Sequence, residues 1–364
     1  MRRGRFLRRT TRAASVAVFL CGSAASLASD SSVELSVGGL AFGAEQEISV
    51  ESEDVRITPQ LVTVRYRLLN NGARPVTLRL NFPLPDIDMS DPDLLYAIPG
   101  NDPVNFVGFQ TKADGKPLKF EIRQRAFLGD KDITEALRGA GLPLLPMGTQ
   151  TEAVDALTQE ARDRLVAQGI LVPAGNDQSG KTLYSGPWTV KTSATGEQAL
   201  APGQAVVLDH SYRASVGISF DTVLRKAVRE SQAMQAEFKR YLAEYCIPEG
   251  LLRGIDRVAG STPANIVKLQ ERRISYRLKP ASDARPVKDF RVVIDKGRAD
   301  NLVSFCLDNV KKISATTFEF RAKDFTPERD LKILLITRLE GKVPVSRPDA
   351  PLLKQPTGRP ERFE

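Results

Sequence analysis

The sequence predicts a mainly β fold: an antiparallel β-sandwich, or a pair of small sandwiches, carrying two helical insertions, α+β overall. Three observations lead there. Apolar and polar residues alternate in run after run at both ends of the chain. The period turns helical in only two stretches, and 41% of the 364 residues are hydrophobic, enough to bury a sizeable core.

The chain opens on MRRGRFLRRTTR, six arginines without an acid, followed by the apolar run AASVAVFLCGSAASLA. Ser26 and Ala28 place small residues at the −3 and −1 positions of a cleavage site. Residues 1–28 therefore read as a signal peptide, cleaved near Ala28. The 16 apolar-run residues fall short of the roughly 20 that span a bilayer, so no transmembrane segment is expected in the mature chain. Leu20 speaks against lipid attachment at Cys21, and Arg8-Arg9 leaves the Sec and twin-arginine export routes both open.

Cleavage changes the electrostatics. The leader holds six of the 52 basic side chains and none of the 44 acidic ones, leaving 46 against 44, a net +2. That balance gives no reason to expect nucleic acid as a partner. Cys21 also departs, leaving Cys246 and Cys306. In an oxidising compartment the two are expected to pair, and closing a loop of about 60 residues adds roughly 4 kcal/mol on a chain-entropy basis. Two buried free thiols are the alternative. A metal site lacks ligands, since the chain has one histidine.

From Val33 to about Phe127 strand follows strand. Val62, Val64, Tyr66 and Leu68 alternate with polar residues, as do Val76, Leu78, Leu80 and Phe82, and Asn70-Asn71-Gly72 between them suggests an antiparallel hairpin. Residues 130–171 form the first helical insertion, with Val154, Leu157, Ala161 and Leu165 on one stripe, Thr151 at the N-cap and Gly169 at the C-terminus. The apolar loop GAGLPLLPMG precedes that stripe. Strands resume with WTVKT and QAVVLDHSYRAS, where Val206, Leu208, His210 and Tyr212 share a face. Residues 221–260 form the second insertion, one long helix capped by Asp221 and stopped by Pro248. RRISYRL, DFRVVID, LVSFC with TTFEFRA, and LKILLITR complete a β-rich region spanning 29–342, as one intertwined domain or two sub-domains. The tail 343–364 holds five prolines in 22 residues and is expected to be disordered.

Gly175 to Thr182, GNDQSGKT, satisfies the P-loop pattern G-x-x-x-x-G-K-[ST]. The pattern binds phosphate when a helix starts just after the Lys-Thr and aims its positive end at the anion. Here Gly186-Pro187 breaks any such helix, so a surface loop and no nucleotide are expected. Asp86, Asp88, Asp91 and Asp93 crowd DIDMSDPD and are weak calcium candidates, with Asp91 in place of the turn glycine and Ala97 in place of the bidentate glutamate. His210 cannot form a triad with Asp209 or Ser211, because strand neighbours point to opposite faces. It is expected to be structural and bonded to backbone. Trp188 alone makes no stacking platform. No catalytic or cofactor-binding residue is assigned.

DSSVELSVGGLAF, RYRLLNNG, NFPLPDID, LDHSYRASVG, Tyr245-Cys246, DFRVVIDKG and LVSFC, in this order, resemble the bacterial exported family catalogued as domain of unknown function forty-four twenty-four. The resemblance spans about Asp30 to Arg338. It implies an envelope or periplasmic protein with no established activity and no catalytic residues to carry over. The family's tryptophan and glycine before the Asp-Phe-Arg strand are replaced here by ASDARPV, Ala281 to Val287. The expected role is a non-catalytic module that binds or organises an unidentified envelope component or protein. The rival is a hydrolase of cell-wall or polysaccharide material working through Asp86 or Asp88.

Overall fold

The alternating runs from Val62 onward become strands, because a pattern of period 2 sends one side of an extended backbone to a core and the other to water. The structure, a computed structural model, describes residues 36–38, 41–42, 48–84, 86–89, 96–98, 100–145, 150–214, 216–259, 268–278 and 286–339. The expected signal peptide, Asp91, Asp93 and the proline-rich tail lie outside the described residues. In chain order the main strands are β1 (Ile48–Ile57), β2 (Leu61–Asn70), β3 (Val76–Pro83), β4 (Gln110–Ala113), β5 (Glu121–Leu128), β6 (Thr189–Leu200) and β7 (Ala205–Arg213). They continue with β8 (Val216–Ser219), β9 (Leu269–Arg277), β10 (Val287–Asp295), β11 (Leu302–Phe305), β12 (Thr317–Phe325) and β13 (Leu331–Arg338).

The chain is mainly β, with helices added to one side of each half. A large sheet runs β12-β10-β1-β2-β7-β4. It draws on both ends of the sequence, since β10 lies parallel to β1 with Phe290 opposite Glu53 and Ile294 opposite Ile57. Two smaller sheets, β5-β6-β3 and β11-β13-β9-β8, pack on it side by side. One core joins all three: Val64, Leu68, Leu208 and Phe290 from the large sheet meet Leu80 and Phe82 from the first and Ile274, Tyr276 and Ile333 from the second.

The expected hairpin is not one. β2 pairs with β1 and β7, whereas β3 pairs with β6. Its two alternations are right and its partner wrong, because the apolar faces of β2 and β3 bury each other across the sandwich rather than within one sheet. Asn70 makes the corner: its buried amide donates to the carbonyls of Arg74, Leu200 and Ala201 and accepts from the Gly72 N–H at 2.9 Å.

The helical stretches are also more broken than periodicity suggests. The first holds α1 (Thr134–Gly139), α2 (Gln150–Asp155) and α3 (Gln159–Ala167). Thr151 lies inside α2, and the capping residue is Thr158, whose hydroxyl accepts from the Ala161 N–H at 3.2 Å. The single long helix expected from Asp221 is instead α4 (Lys226–Arg229), a short 3-10 turn and α5 (Gln235–Tyr245), with α6 (Glu249–Ala259) after Pro248. Tyr241, Tyr245 and Ile255 bury a second core against Leu269, Leu334 and Ile336, the outer face of the β9 sheet. Strand β9 is thus covered on both sides.

Cys246 ends α5 in a left-handed conformation, φ 49° and ψ 50°, and forms a disulfide with Cys306, Cα–Cα 5.1 Å. The bridge fastens the helical layer to the end of β11. Ser304 adds a hydrogen bond to the Tyr245 carbonyl at 2.9 Å in the same joint.

Candidate functional site

Strand β5, EIRQRAFL, has an outer edge that the fold leaves partly open. On one side it pairs with β6 from Glu121 to Phe127. On the other, the short strand Lys131–Asp132 covers only Phe127 and Leu128. The Ala126 N–H and C=O turn to that outer side and are met by the Thr134 hydroxyl and the Ile133 N–H, both at 2.9 Å. Period-2 geometry aims the main-chain groups of Gln124 and Ile122 the same way. Among the described residues these have no partner.

The open edge faces a cleft of about 850 Å³. Its far wall is α1 and the loop Leu142–Leu145, and Pro103 and Val104 close one end. Trp188 holds the wall: its buried indole N–H donates to the Leu144 carbonyl at 2.8 Å. Gly186 permits this packing, since a Cβ there would fall 1.8 Å from the Trp188 ring. The Gly186-Pro187 pair that rules out a helix after GNDQSGKT therefore helps to build the cleft. At the rim, Arg125 pairs with Asp132, Arg123 with Glu121 and Arg138 with Glu135. Hydrogen bonds from Thr134, with Arg125 beside it, hold the Asp132 carboxyl down at about 2, so this carboxylate stays charged over the ordinary pH range.

The residues singled out from sequence lie elsewhere. Gly175 to Thr182 joins the hairpin strands Val172–Asn176 and Thr182–Ser185. Asp177 draws the turn inward, accepting from the N–H groups of Ser179 and Lys181 at 2.8 and 2.9 Å. The Lys181 ammonium pairs with Asp155 at 2.5 Å. Asp86 and Asp88 sit beside β6, with Asp88 opposite Thr189, and neither lines the cleft. Among the described residues no three His, Cys, Asp or Glu side chains stand close enough to hold a metal ion.

His210 is buried, but not bonded to backbone as expected. Neither ring nitrogen has a hydrogen-bond partner among the described residues, and Phe109, Tyr66 and Phe82 surround it at 5.6, 5.7 and 6.2 Å between ring centroids. Burial lowers its pKa to about 4, so the ring is neutral near pH 7. Close by, Glu53 accepts from the hydroxyls of Tyr276 and Tyr66 at 3.0 and 3.2 Å. Burial raises that carboxyl to about 7.

Sequence reasoning noted the GLPLL loop without recognising it as a wall. The signal was present in its prolines and leucines, but the free strand edge opposite it depends on which strands pair.

Residues 28–334 match the family described as Domain of unknown function (DUF4424). The chain belongs to that family. This DUF4424 protein has no match among curated proteins. Among solved structures, it is similar to a Legionella pneumophila protein provisionally named as nutrient-binding, at 12% identity and TM-score 0.40, over 84% of this chain and 71% of that one. It is also similar to an M1 zinc metallopeptidase of Deinococcus radiodurans, at 9% identity and TM-score 0.24, over 79% of this chain and 42% of that one. Likenesses at these scores carry no functional argument for the DUF4424 chain.

Proposed function

We propose that this DUF4424 protein is an exported, periplasmic, non-catalytic binding module that holds an extended peptide segment of an envelope partner along the outer edge of β5. The observation that carries the reading is the pair of main-chain stations, Ile122 and Gln124, that have no partner among the described residues and face a largely apolar cleft. An added strand hydrogen-bonds to such stations at every second residue, and its alternate side chains enter the pocket beside them. The leucine wall supplies apolar burial, and the rim of paired charges supplies selectivity rather than much affinity. Export is supported by the arginine-rich, apolar leader of residues 1–28.

The test uses a photo-crosslinking residue at Val104, which is 40% exposed and lines the cleft. In envelope extract it is expected to capture one discrete partner peptide. Gln124→Pro deletes a main-chain donor on an edge where proline is tolerated. It is expected to abolish capture while the melting midpoint holds, whereas Gln124→Ala retains capture. Capture that persists in Gln124→Pro would refute strand addition.

A further inference from the structure

A second, smaller cavity opens at the mouth of the sandwich between the large sheet and the β9 sheet. It has a volume of about 260 Å³. Its lining comes from four places in the chain: Gln60 in the turn between β1 and β2, Arg272 in β9, the loop after β10 with Arg298 and Asp300, and Thr337 and Arg338 at the end of β13. Among the described residues of this lining, three arginines stand against one aspartate.

Arg272 is the unusual member. Period 2 puts it on the same face of β9 as Ile274 and Tyr276, the face that enters the sandwich core. Other arginines in this half of the fold meet carboxylates: Arg273 meets Glu271, Arg229 meets Asp256 and Arg291 meets Glu319. The guanidinium of Arg272 instead donates to the neutral side chain of Gln270 at 3.0 Å. Burial pulls its pKa below the usual arginine value. Among the described residues no carboxylate pairs with Arg272; a half-buried cation of this kind is costly to a fold, and a bound anion would offset that cost.

The remaining wall is built rather than loose. Gly297 turns the chain out of β10 at φ 80°. The Lys296 ammonium then donates to the carbonyls of Ala299 and Asn301 at 2.6 and 2.5 Å, and the Asn301 amide returns a bond to the Lys296 carbonyl at 2.7 Å. This fixes the loop that carries Arg298, whose guanidinium leans on Asp300 at 3.1 Å.

We infer that this mouth binds a small oxyanion of the phosphate or carboxylate class, gripped by Arg272, with Arg298 and Arg338 adding positive charge around it. Planar guanidinium forks match both oxyanions with paired N–H···O bonds. The volume holds one such anion and a few waters, each water taking about 30 Å³. A larger ligand would have to protrude. The site is independent of the β5 cleft, so either can fail without the other.

Calorimetric titration of the purified full chain tests this, in a buffer free of phosphate and carboxylates, with ionic strength held constant by chloride. Inorganic phosphate and succinate are the probes. Saturable binding of either one at one site per chain is expected, and the one that binds assigns the class. Arg272→Gln is expected to weaken it at least tenfold and Arg338→Gln severalfold. Lys323→Gln, which breaks a distant surface pair with Asp289, should leave it unchanged. Arg338→Gln, altered at a solvent-exposed strand end, carries the test if Arg272→Gln does not fold. Saturation by neither probe, or equal weakening in Arg338→Gln and Lys323→Gln, would overturn the site.

Discussion

Two buried carboxylates lie on opposite sides of β9, and the fold accommodates them by different means. On the helical side, Glu271 meets the Arg273 guanidinium at 2.7 Å and the Tyr241 hydroxyl at 2.9 Å. On the sandwich side, Glu53 meets the hydroxyls of Tyr276 and Tyr66. In the first cluster a buried cation works against the rise that burial imposes on the carboxyl. In the second, no cation stands against Glu53 among the described residues and burial drives the carboxyl to about 7, so the proton itself relieves much of the burial. The lesson concerns one strand. Arg273 and Tyr276 fall on opposite faces of β9, so a shift of one register position would carry Arg273 and Glu271 together into the sandwich and turn Tyr276 away from Glu53.

The largest test of this contrast breaks the ion pair. Arg273→Met leaves a carboxylate buried without its cation, and urea unfolding should show a loss of about 3–5 kcal/mol. Removing both partners, as in Glu271→Leu with Arg273→Met, should recover most of it. A loss below about 1 kcal/mol in the single variant would mean that Glu271 is already held protonated, and the two clusters would then work alike.

Next in size is the disulfide, which serves the helical side alone. Cys246→Ser with Cys306→Ser is expected to cost about 2–4 kcal/mol. Hydrogen exchange should rise first in α5 and β11, with β2 and β7 protected as before. Uniform deprotection of both regions would show that the helical layer and the sandwich unfold as one unit.

The smallest effect is a pH slope on the sandwich side. Glu53 has a folded pKa near 7, above the usual 4.5, so its contribution is full below about 4.5 and is lost as pH rises through 7. His210 has a folded pKa near 4, below the usual 6.5, so its contribution is full above about 6.5 and is lost as pH falls through 4. Between those limits the two slopes oppose, each at most about 1.4 kcal/mol per pH unit. The wild type should therefore be nearly flat from pH 4.5 to 6.5. Glu53→Gln is expected to lose stability as the solution is acidified over that span, and His210→Leu to gain it. Denaturation midpoints that track the wild type in both variants would sink the assignment.

Much of this was legible in sequence and some was not. The face shared by Val206, Leu208, His210 and Tyr212 was readable because burial is written into a strand at every second residue. That His210 has no backbone partner among the described residues was not readable, since its neighbours Phe82 and Phe109 come from β3 and from the loop before β4. For the β5 cleft, the apolar GLPLL loop and the polar alternation of EIRQR were visible. The open edge between them was not, because it arises where Lys131–Asp132 stops pairing. The arginine-lined mouth was invisible for the same reason, its four segments being separated by more than 200 residues between Gln60 and Arg272.

By itself, the sequence determined which segments are extended, which two are helical, that Cys246 and Cys306 are the partners available to each other, and that GNDQSGKT precedes no helix. These are local properties, decided by periodicity, glycine and proline geometry, and counting. Only the tertiary structure decided that β2 and β3 face each other instead of pairing, that β9 is covered on both sides, and that β5 keeps a free edge. Strand partnership is chosen by burial among residues distant in the chain, and a period-2 pattern says which face must be covered without saying what covers it.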